Sequence, residues 1–222
     1  MQTKIITLAI VTCCWACLNQ AQATEFDFTI SSVYINDYFT LNDQSLLVEG
    51  AGVNEVRAYE DSYIEIRNTT PYEWKVGGVG RAILFDQSSI NIYGGETGGI
   101  VATDNSSVNI YGGEVHGLIV ADNSSATLYG GNIGGIRNSQ SVPIGTEIDL
   151  EVVCKSWTWN ESINHITGIW GDDSSFDIGL VNTSWDNFED YRMIDHISFT
   201  VIPEPLTGIL MAMGVLFLRR RR

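Results

Sequence analysis

The sequence predicts an all-β protein built around a short parallel β-solenoid (a β-helix) of about five 18-residue coils. Three observations predict this fold: a repeat of fixed length, alternation of apolar and polar residues within the repeat, and turn-forming residues at the same places in each repeat. A single unit of this kind cannot bury its apolar face alone, so the units are expected to stack and share one core.

The repeat is clearest in three units, DQSSINIYGGETGGIVAT, DNSSVNIYGGEVHGLIVA and DNSSATLYGGNIGGIRNS. They follow one another without a gap and begin at Asp86, Asp104 and Asp122. Two weaker units begin at Asn42 and Glu60, and the longer interval after the second of them indicates an insertion around residues 69–76. We therefore assign residues 42–139 to the repeat region.

Within each unit, apolar side chains recur at every second position, which is typical of a strand that buries one face. The clearest pairs are Ile90/Ile92, Val108/Ile110 and Ala126/Leu128. The Gly-Gly pairs and the Asp-Asn-Ser-Ser segments mark the two corners where the chain is expected to turn. Either handedness fits an 18-residue coil, and a small sandwich of hairpins remains the alternative fold.

The flanks of the repeat region are predicted to be β structure as well. Residues 24–41 alternate in polarity and are expected to cap the N-terminal edge with strands. Residues 140–202 contain fewer glycines and longer strand-like runs, so we expect a C-terminal β cap there. Caps are needed because a bare sheet edge pairs readily with another chain.

Stacking would place equivalent positions of successive units one above another, which predicts two columns of functional interest. One column holds Asp86, Asp104 and Asp122, and the other holds Tyr93, Tyr111 and Tyr129. The aspartates either cap their own turns or bind a hard cation such as Ca²⁺. The tyrosines either form a structural ladder or present a contact surface for a glycan.

The composition argues against catalysis and against nucleic-acid binding. The chain carries 12 Lys plus Arg against 27 Asp plus Glu, a net charge of −15, which repels nucleic acid. No spacing typical of a zinc protease, a phosphate-binding loop or a serine hydrolase occurs, and the basic residues that a polysaccharide lyase needs are scarce in the repeats. We expect no enzyme and no required cofactor. A carbohydrate-binding module or a carbohydrate-active β-helix enzyme is the alternative.

Residues 1–23 have the pattern of a secretory signal peptide. Lys4 precedes an apolar stretch, and Ala21-Gln22-Ala23 supplies the small-x-small sequence of a cleavage site. Cleavage there would remove three of the four cysteines and leave Cys154, so no intramolecular disulfide is expected. We therefore expect export.

Residues 203–222 have the features of a second targeting segment. Pro203-Glu204-Pro205 precedes an uncharged apolar run at residues 206–218, and the chain ends with Arg219, Arg220, Arg221 and Arg222. A helix over that run spans about 20 Å, which is less than the ~30 Å hydrocarbon core of a bilayer. It can lodge there if the arginines reach the interface, and the positive-inside rule then places the arginines in the cytoplasm and the main domain outside.

These three parts, in this order at the C-terminus, resemble the PEP-CTERM sorting signal of exosortase substrates, and the resemblance is limited to the last segment, residues 203–222. It implies a Gram-negative bacterium, a transient inner-membrane anchor, and recognition near Pro203-Glu204-Pro205 by an exosortase-type membrane protease. It also implies an association with exopolysaccharide or biofilm. An ordinary C-terminal anchor is the alternative. The combined expectation is a structural or adhesive protein of the cell surface or extracellular matrix, with an extracellular polysaccharide as a candidate partner.

Overall fold

The computed structural model describes residues 25–32, 34–69, 78–138, 149–181 and 193–203. Within these ranges the chain forms 19 β-strands and one short 3₁₀ helix, so the predicted all-β class is confirmed. The predicted signal peptide, most of the predicted insertion and the tail from Glu204 onwards lie outside the described residues.

The strands are numbered in chain order. Those up to residue 138 are β1 (Phe28–Ile30), β2 (Ile35–Asn42), β3 (Ser45–Val48), β4 (Val53–Tyr59), β5 (Tyr63–Ile66), β6 (Val79–Leu84), β7 (Ser89–Ile92), β8 (Glu96–Thr97), β9 (Ile100–Ala102), β10 (Ser107–Ile110), β11 (Glu114–Val115), β12 (Leu118–Val120), β13 (Ser125–Leu128), β14 (Asn132–Ile133) and β15 (Gly135–Asn138). The C-terminal elements are β16 (Asp149–Asn160), β17 (His165–Trp170), β18 (Ser175–Val181), the 3₁₀ helix Met193–His196 and β19 (Ile197–Val201).

Most strands pair in parallel with the strand one repeat away. In the central strand β10, Val108 pairs with Ile90 of β7 on one side and with Ala126 of β13 on the other. Equivalent pairs extend this row outward to β1 and β19, through β3, β5 and β16. A second row joins β2, β4, β6, β9, β12, β15 and β18, and a short third row joins β8, β11 and β14.

The pairing also locates the predicted insertion. Ile64 of β5 pairs with Ile90 of β7, so these partners are further apart in sequence than the paired residues of β7 and β10. The extra length falls between β5 and β6, which is the interval that the repeat spacing predicts. At the first corner the left-handed backbone conformation occurs at Asp43, one residue after the predicted start at Asn42.

The C-terminal strands break the parallel pattern. The first half of β16 pairs in parallel with β13 and β19, whereas its second half pairs antiparallel with β17. β17 also pairs antiparallel with β18, which is parallel to β15. The sheet is therefore mixed, with the antiparallel strands at the C-terminal side of the repeats.

The core consists of stacked aliphatic side chains that face inward from the rows of strands. Ile92, Ile110 and Leu128 share one register position of β7, β10 and β13, and each is 0% exposed. The predicted buried column is thus confirmed. Burying one such side chain contributes about 1.5–3 kcal/mol, so the stack as a whole supplies most of the driving force for folding.

Candidate functional site

The predicted aspartate column lies at one corner of the repeats. Asp86, Asp104 and Asp122 all adopt a left-handed backbone conformation, with φ of 55°, 59° and 57°. Among non-glycine residues, Asp and Asn tolerate this conformation best because their short side chains can bond locally. This explains why every complete repeat begins with aspartate.

Two carboxylates of this column accept a hydrogen bond from the corner of the preceding repeat. Asp86 Oδ2 accepts a hydrogen bond from the Glu60 backbone N–H at 3.1 Å, and Asp104 Oδ2 accepts one from the Asp86 N–H at 3.3 Å. These backbone donors offset part of the repulsion between stacked carboxylates. The geometry favours the turn-capping explanation, and calcium binding by the column stays a prediction.

A serine two residues after each corner completes the turn. Ser62, Ser88 and Ser124 are buried, and the hydroxyls of Ser62 and Ser88 donate to the backbone carbonyls of Tyr59 and Phe85 at 2.6 and 2.7 Å. A buried hydroxyl without a partner is costly, so these bonds help to close the corner at Ser62 and Ser88, whereas the buried Ser106 hydroxyl has no partner in the described part of the chain. The Asp-x-Ser sequence of the repeat therefore has a structural role.

The tyrosine column forms a stacked ladder on the outer surface. The ring centroids of Tyr93 and Tyr111 are 4.8 Å apart with an interplanar angle of 7°, and those of Tyr111 and Tyr129 are also 4.8 Å apart, with an angle of 4°. The three side chains remain exposed, at 49%, 42% and 40%. Burial, with a smaller contribution from the two neighbouring rings, raises the pKa of the Tyr111 hydroxyl above its usual value.

Stacking within the ladder covers the ring faces that a bound sugar would contact. A pyranose packs on the face of an aromatic ring, but the inner faces here are turned towards one another. Stacked pairs of this kind contribute about 0.5–1.5 kcal/mol each, which is a sufficient structural reason for the repeated tyrosine. The glycan contact at Tyr93, Tyr111 and Tyr129 stays a prediction.

A shallow groove of about 450 Å³ lies on the surface of the repeats beside strands β9 and β12. Glycines form much of its lining, and the remaining side chains are Arg81, Ile100, Val101, His116, Ile119 and Arg137. Arg81 and Arg137 are both exposed, and neither forms an ion pair with another described residue. In a chain of net charge −15, two such arginines make this groove locally basic.

Beside this groove, three titratable side chains converge. Glu96, Glu114 and His116 each place one potential ligand atom so that all three atoms lie within 4.8 Å of one another. His116 Nε2 lies 2.8 Å from Glu96 Oε1 and 3.6 Å from Glu114 Oε1. The sequence reasoning missed this group, although the repeat contains the signal: Glu96 and Glu114 are one repeat apart and His116 follows two residues later.

The other polar and aromatic candidates lie in the C-terminal strands. His165 pairs with Asp177 at 2.6 Å, and Lys155 pairs with Asp173. Trp170 is buried, whereas Trp157 is 37% exposed and stacks on Phe199 with centroids 3.7 Å apart. The tryptophans thus divide between core and surface.

The remaining thiol, Cys154, is buried, and burial raises its pKa above the usual value. A thiol in this environment is less ionised at neutral pH than a free cysteine and is a poor nucleophile.

The first residue of the predicted sorting motif is the last residue that the structure describes. The Ile202 N–H donates to the Cys154 carbonyl at 2.8 Å, and the next residue, Pro203, is exposed. Glu204, Pro205 and Arg219, Arg220, Arg221 and Arg222 lie outside the described residues, as does the predicted membrane segment. In the described part of the chain, no helix has the length and hydrophobicity needed to cross a bilayer.

Comparison of the chain with models of protein families, with curated proteins and with solved structures gives no match.

Proposed function

We propose that this chain is an exported structural or adhesive protein whose repeats form a short parallel β-solenoid. In this proposal an exosortase-type membrane protease recognises Pro203-Glu204-Pro205, removes the transient inner-membrane anchor and releases the folded domain to the cell surface or extracellular matrix. The extracellular polysaccharide of that matrix is the proposed partner of the released domain.

The position of the motif relative to the fold carries the proposal. The last backbone hydrogen bond of the described sheet is made by Ile202, and the motif starts at the following residue. A protease needs an extended, accessible segment, and proline on both sides of Glu204 keeps that residue out of a helix. The exposed position of Pro203 supports recognition of the motif in the folded protein.

The solenoid part of the proposal is supported by the parallel rows. Equivalent residues of successive repeats pair directly, as Val108 does with Ile90 and Ala126. The inward side chains of Ile92, Ile110 and Leu128 stack in one buried column. A stack of this kind gives a stiff, repetitive outer surface, which suits a scaffold in a matrix. A carbohydrate-binding role would use the same surface and the same export route.

The sorting proposal is tested by replacing Pro203, Glu204 and Pro205 with alanine in the full chain. Alanine favours a helix that would continue from the membrane segment through the site, so we expect the variant to accumulate uncut in the inner membrane. The parent should reach the surface or the medium without its arginine tail. Cell fractionation and mass spectrometry of the C-terminus provide the measurement.

A matched control replaces three residues of an exposed turn, Glu161, Ser162 and Ile163, with alanine. This variant should be cut and released like the parent, because its motif is intact. Surface-exposed parent protein that retains Arg219 to Arg222 would overturn the sorting proposal and leave a plain membrane anchor.

A further inference from the structure

We propose that Glu96, Glu114 and His116 bind one divalent transition-metal ion of the Zn²⁺ type. The site goes beyond the proposed function, because it depends on the repeat strands and not on the sorting motif. Among the three complete repeats, the one that begins at Asp104 has His116 at a position where the other two have Gly98 and Gly134.

The register of the strands brings the ligands together. Glu96 of β8 pairs directly with Glu114 of β11, and the next pair is Thr97 with Val115. Thr97 and Val115 are buried, so the two glutamates and His116 share the opposite, outward side. The two glutamates are thus held by adjacent strands, and His116 follows β11 directly, with its backbone N–H bonded to the Thr97 carbonyl at 3.0 Å. Only the side-chain ends must adjust to bind an ion.

Glycines around His116 leave room for its imidazole ring. The equivalent positions in the preceding and following repeats are Gly98 and Gly134, which carry no side chain. A Cβ atom built on Gly134 would lie 2.7 Å from the His116 carbonyl oxygen, so the backbones are also tightly packed there. The ring can therefore reach across Gly98 towards Glu96, and its Nε2 atom lies 2.8 Å from the Glu96 carboxylate.

The spacing of the donor atoms suits a small tetrahedral ion. Zn²⁺ binds nitrogen and oxygen at about 2.0–2.2 Å, which places neighbouring ligand atoms of a tetrahedron roughly 3.3–3.6 Å apart. Of the two distances from His116 Nε2, 3.6 Å lies at the upper limit of that range and 2.8 Å lies below it, so the Glu96 carboxylate would move slightly away from the ring when an ion binds. Three protein ligands leave the fourth position for water or for a ligand in the adjacent groove, whose lining includes His116.

The chemistry of the donors favours a transition metal over calcium. Imidazole suits Zn²⁺ and Cu²⁺, whereas Ca²⁺ prefers six to eight oxygen ligands, and this group offers two carboxylates. The two carboxylates lie within 4.8 Å of each other and therefore repel each other when both are ionised. A dication bound between the two carboxylates would offset this repulsion. His116 alone lies closer to Glu96 than to Glu114.

The test is a zinc titration by calorimetry on untagged full-length chain after chelator treatment. Cys13, Cys14 and Cys17 are replaced by serine in every sample, because unpaired thiols near the N-terminus would also bind zinc. We expect one Zn²⁺ per chain, with binding at least about tenfold weaker in His116→Ala and in Glu96→Gln. Ca²⁺ in excess should not displace the zinc.

The control variant is His165→Ala, which removes a different histidine that is also paired with a carboxylate, Asp177. It should bind zinc like the parent. Circular dichroism of each variant checks that the fold is intact, which is expected because both histidines lie at the surface. A parent that binds no zinc at about 100 µM, or a His116→Ala variant that binds it as tightly as the parent, would overturn the proposal and leave a simple His–Glu ion pair.

Discussion

Ile110 is the residue through which the stacked core is best tested. It is 0% exposed and lies between Ile92 and Leu128 in adjacent strands. Replacing a buried isoleucine with alanine costs about 2–5 kcal/mol, because apolar contact is lost and a cavity remains. Ile110→Asp would add an unpaired buried charge and should cost several kcal/mol more, which is comparable with the whole stability of a typical domain at about 5–15 kcal/mol.

We expect Ile110→Ala to fold with a clearly reduced free energy of unfolding, and Ile110→Asp to lose the central strands. Urea denaturation followed by circular dichroism measures both. Ile163→Asp is the matched control, since Ile163 is 57% exposed and the same substitution there should change stability by less than about 0.5 kcal/mol. An Ile110→Asp protein that unfolds at the same urea concentration as the parent would show that the register of the core is wrong.

Two further predictions concern the corners. Gly113 has φ of 86°, and a Cβ atom there would lie 2.7 Å from the Gly95 carbonyl oxygen. Gly113→Ala should therefore lower the free energy of unfolding by about 1–3 kcal/mol, whereas Gly117→Ala, whose Cβ would meet nothing within 4 Å, should melt like the parent. Asp104→Asn keeps an oxygen for the Asp86 N–H and removes one stacked charge, so stability in chelator should rise by no more than about 0.5 kcal/mol. If millimolar calcium raises the melting temperature of the parent but not of Asp104→Asn, the corner explanation fails and the calcium site is real.

The repeat part of the fold could be predicted from the sequence because one physical rule fixes it. A strand with alternating apolar residues must keep its buried face in register, since a slip of one residue would expose the whole set. The repeated Ile-x-Ile and glycine positions therefore predict which residues pair, and the structure pairs Ile110 with Ile92 and Leu128. Asp43 shows the limit, because a one-residue register shift between β2 and β4 moves the first corner away from Asn42.

The C-terminal strands and the Glu–Glu–His group were harder to predict for different reasons. After the repeats, no period relates β16, β17 and β18, and their antiparallel pairing depends on tertiary contacts that local pattern does not specify. A column of identical residues in successive repeats does not reveal the Glu–Glu–His group. Glu96, Glu114 and His116 belong to two different columns that meet on one surface.

The treatment of negative charge distinguishes the two acidic columns. At the corner, Asp86 and Asp104 each accept a hydrogen bond from the backbone of the preceding repeat, so the same acid can recur in every unit. Along β8, β11 and β14, glutamate occurs twice and the third unit has Asn132 instead. A third stacked carboxylate would add repulsion, and His116 lies beside the two that remain, 2.8 Å from Glu96 and 3.6 Å from Glu114. In these two columns, the acid recurs in all three units at the corner, where backbone N–H groups bond to Asp86 and Asp104, and is replaced by Asn132 in the third unit of the other column, where we propose that the metal ion binds.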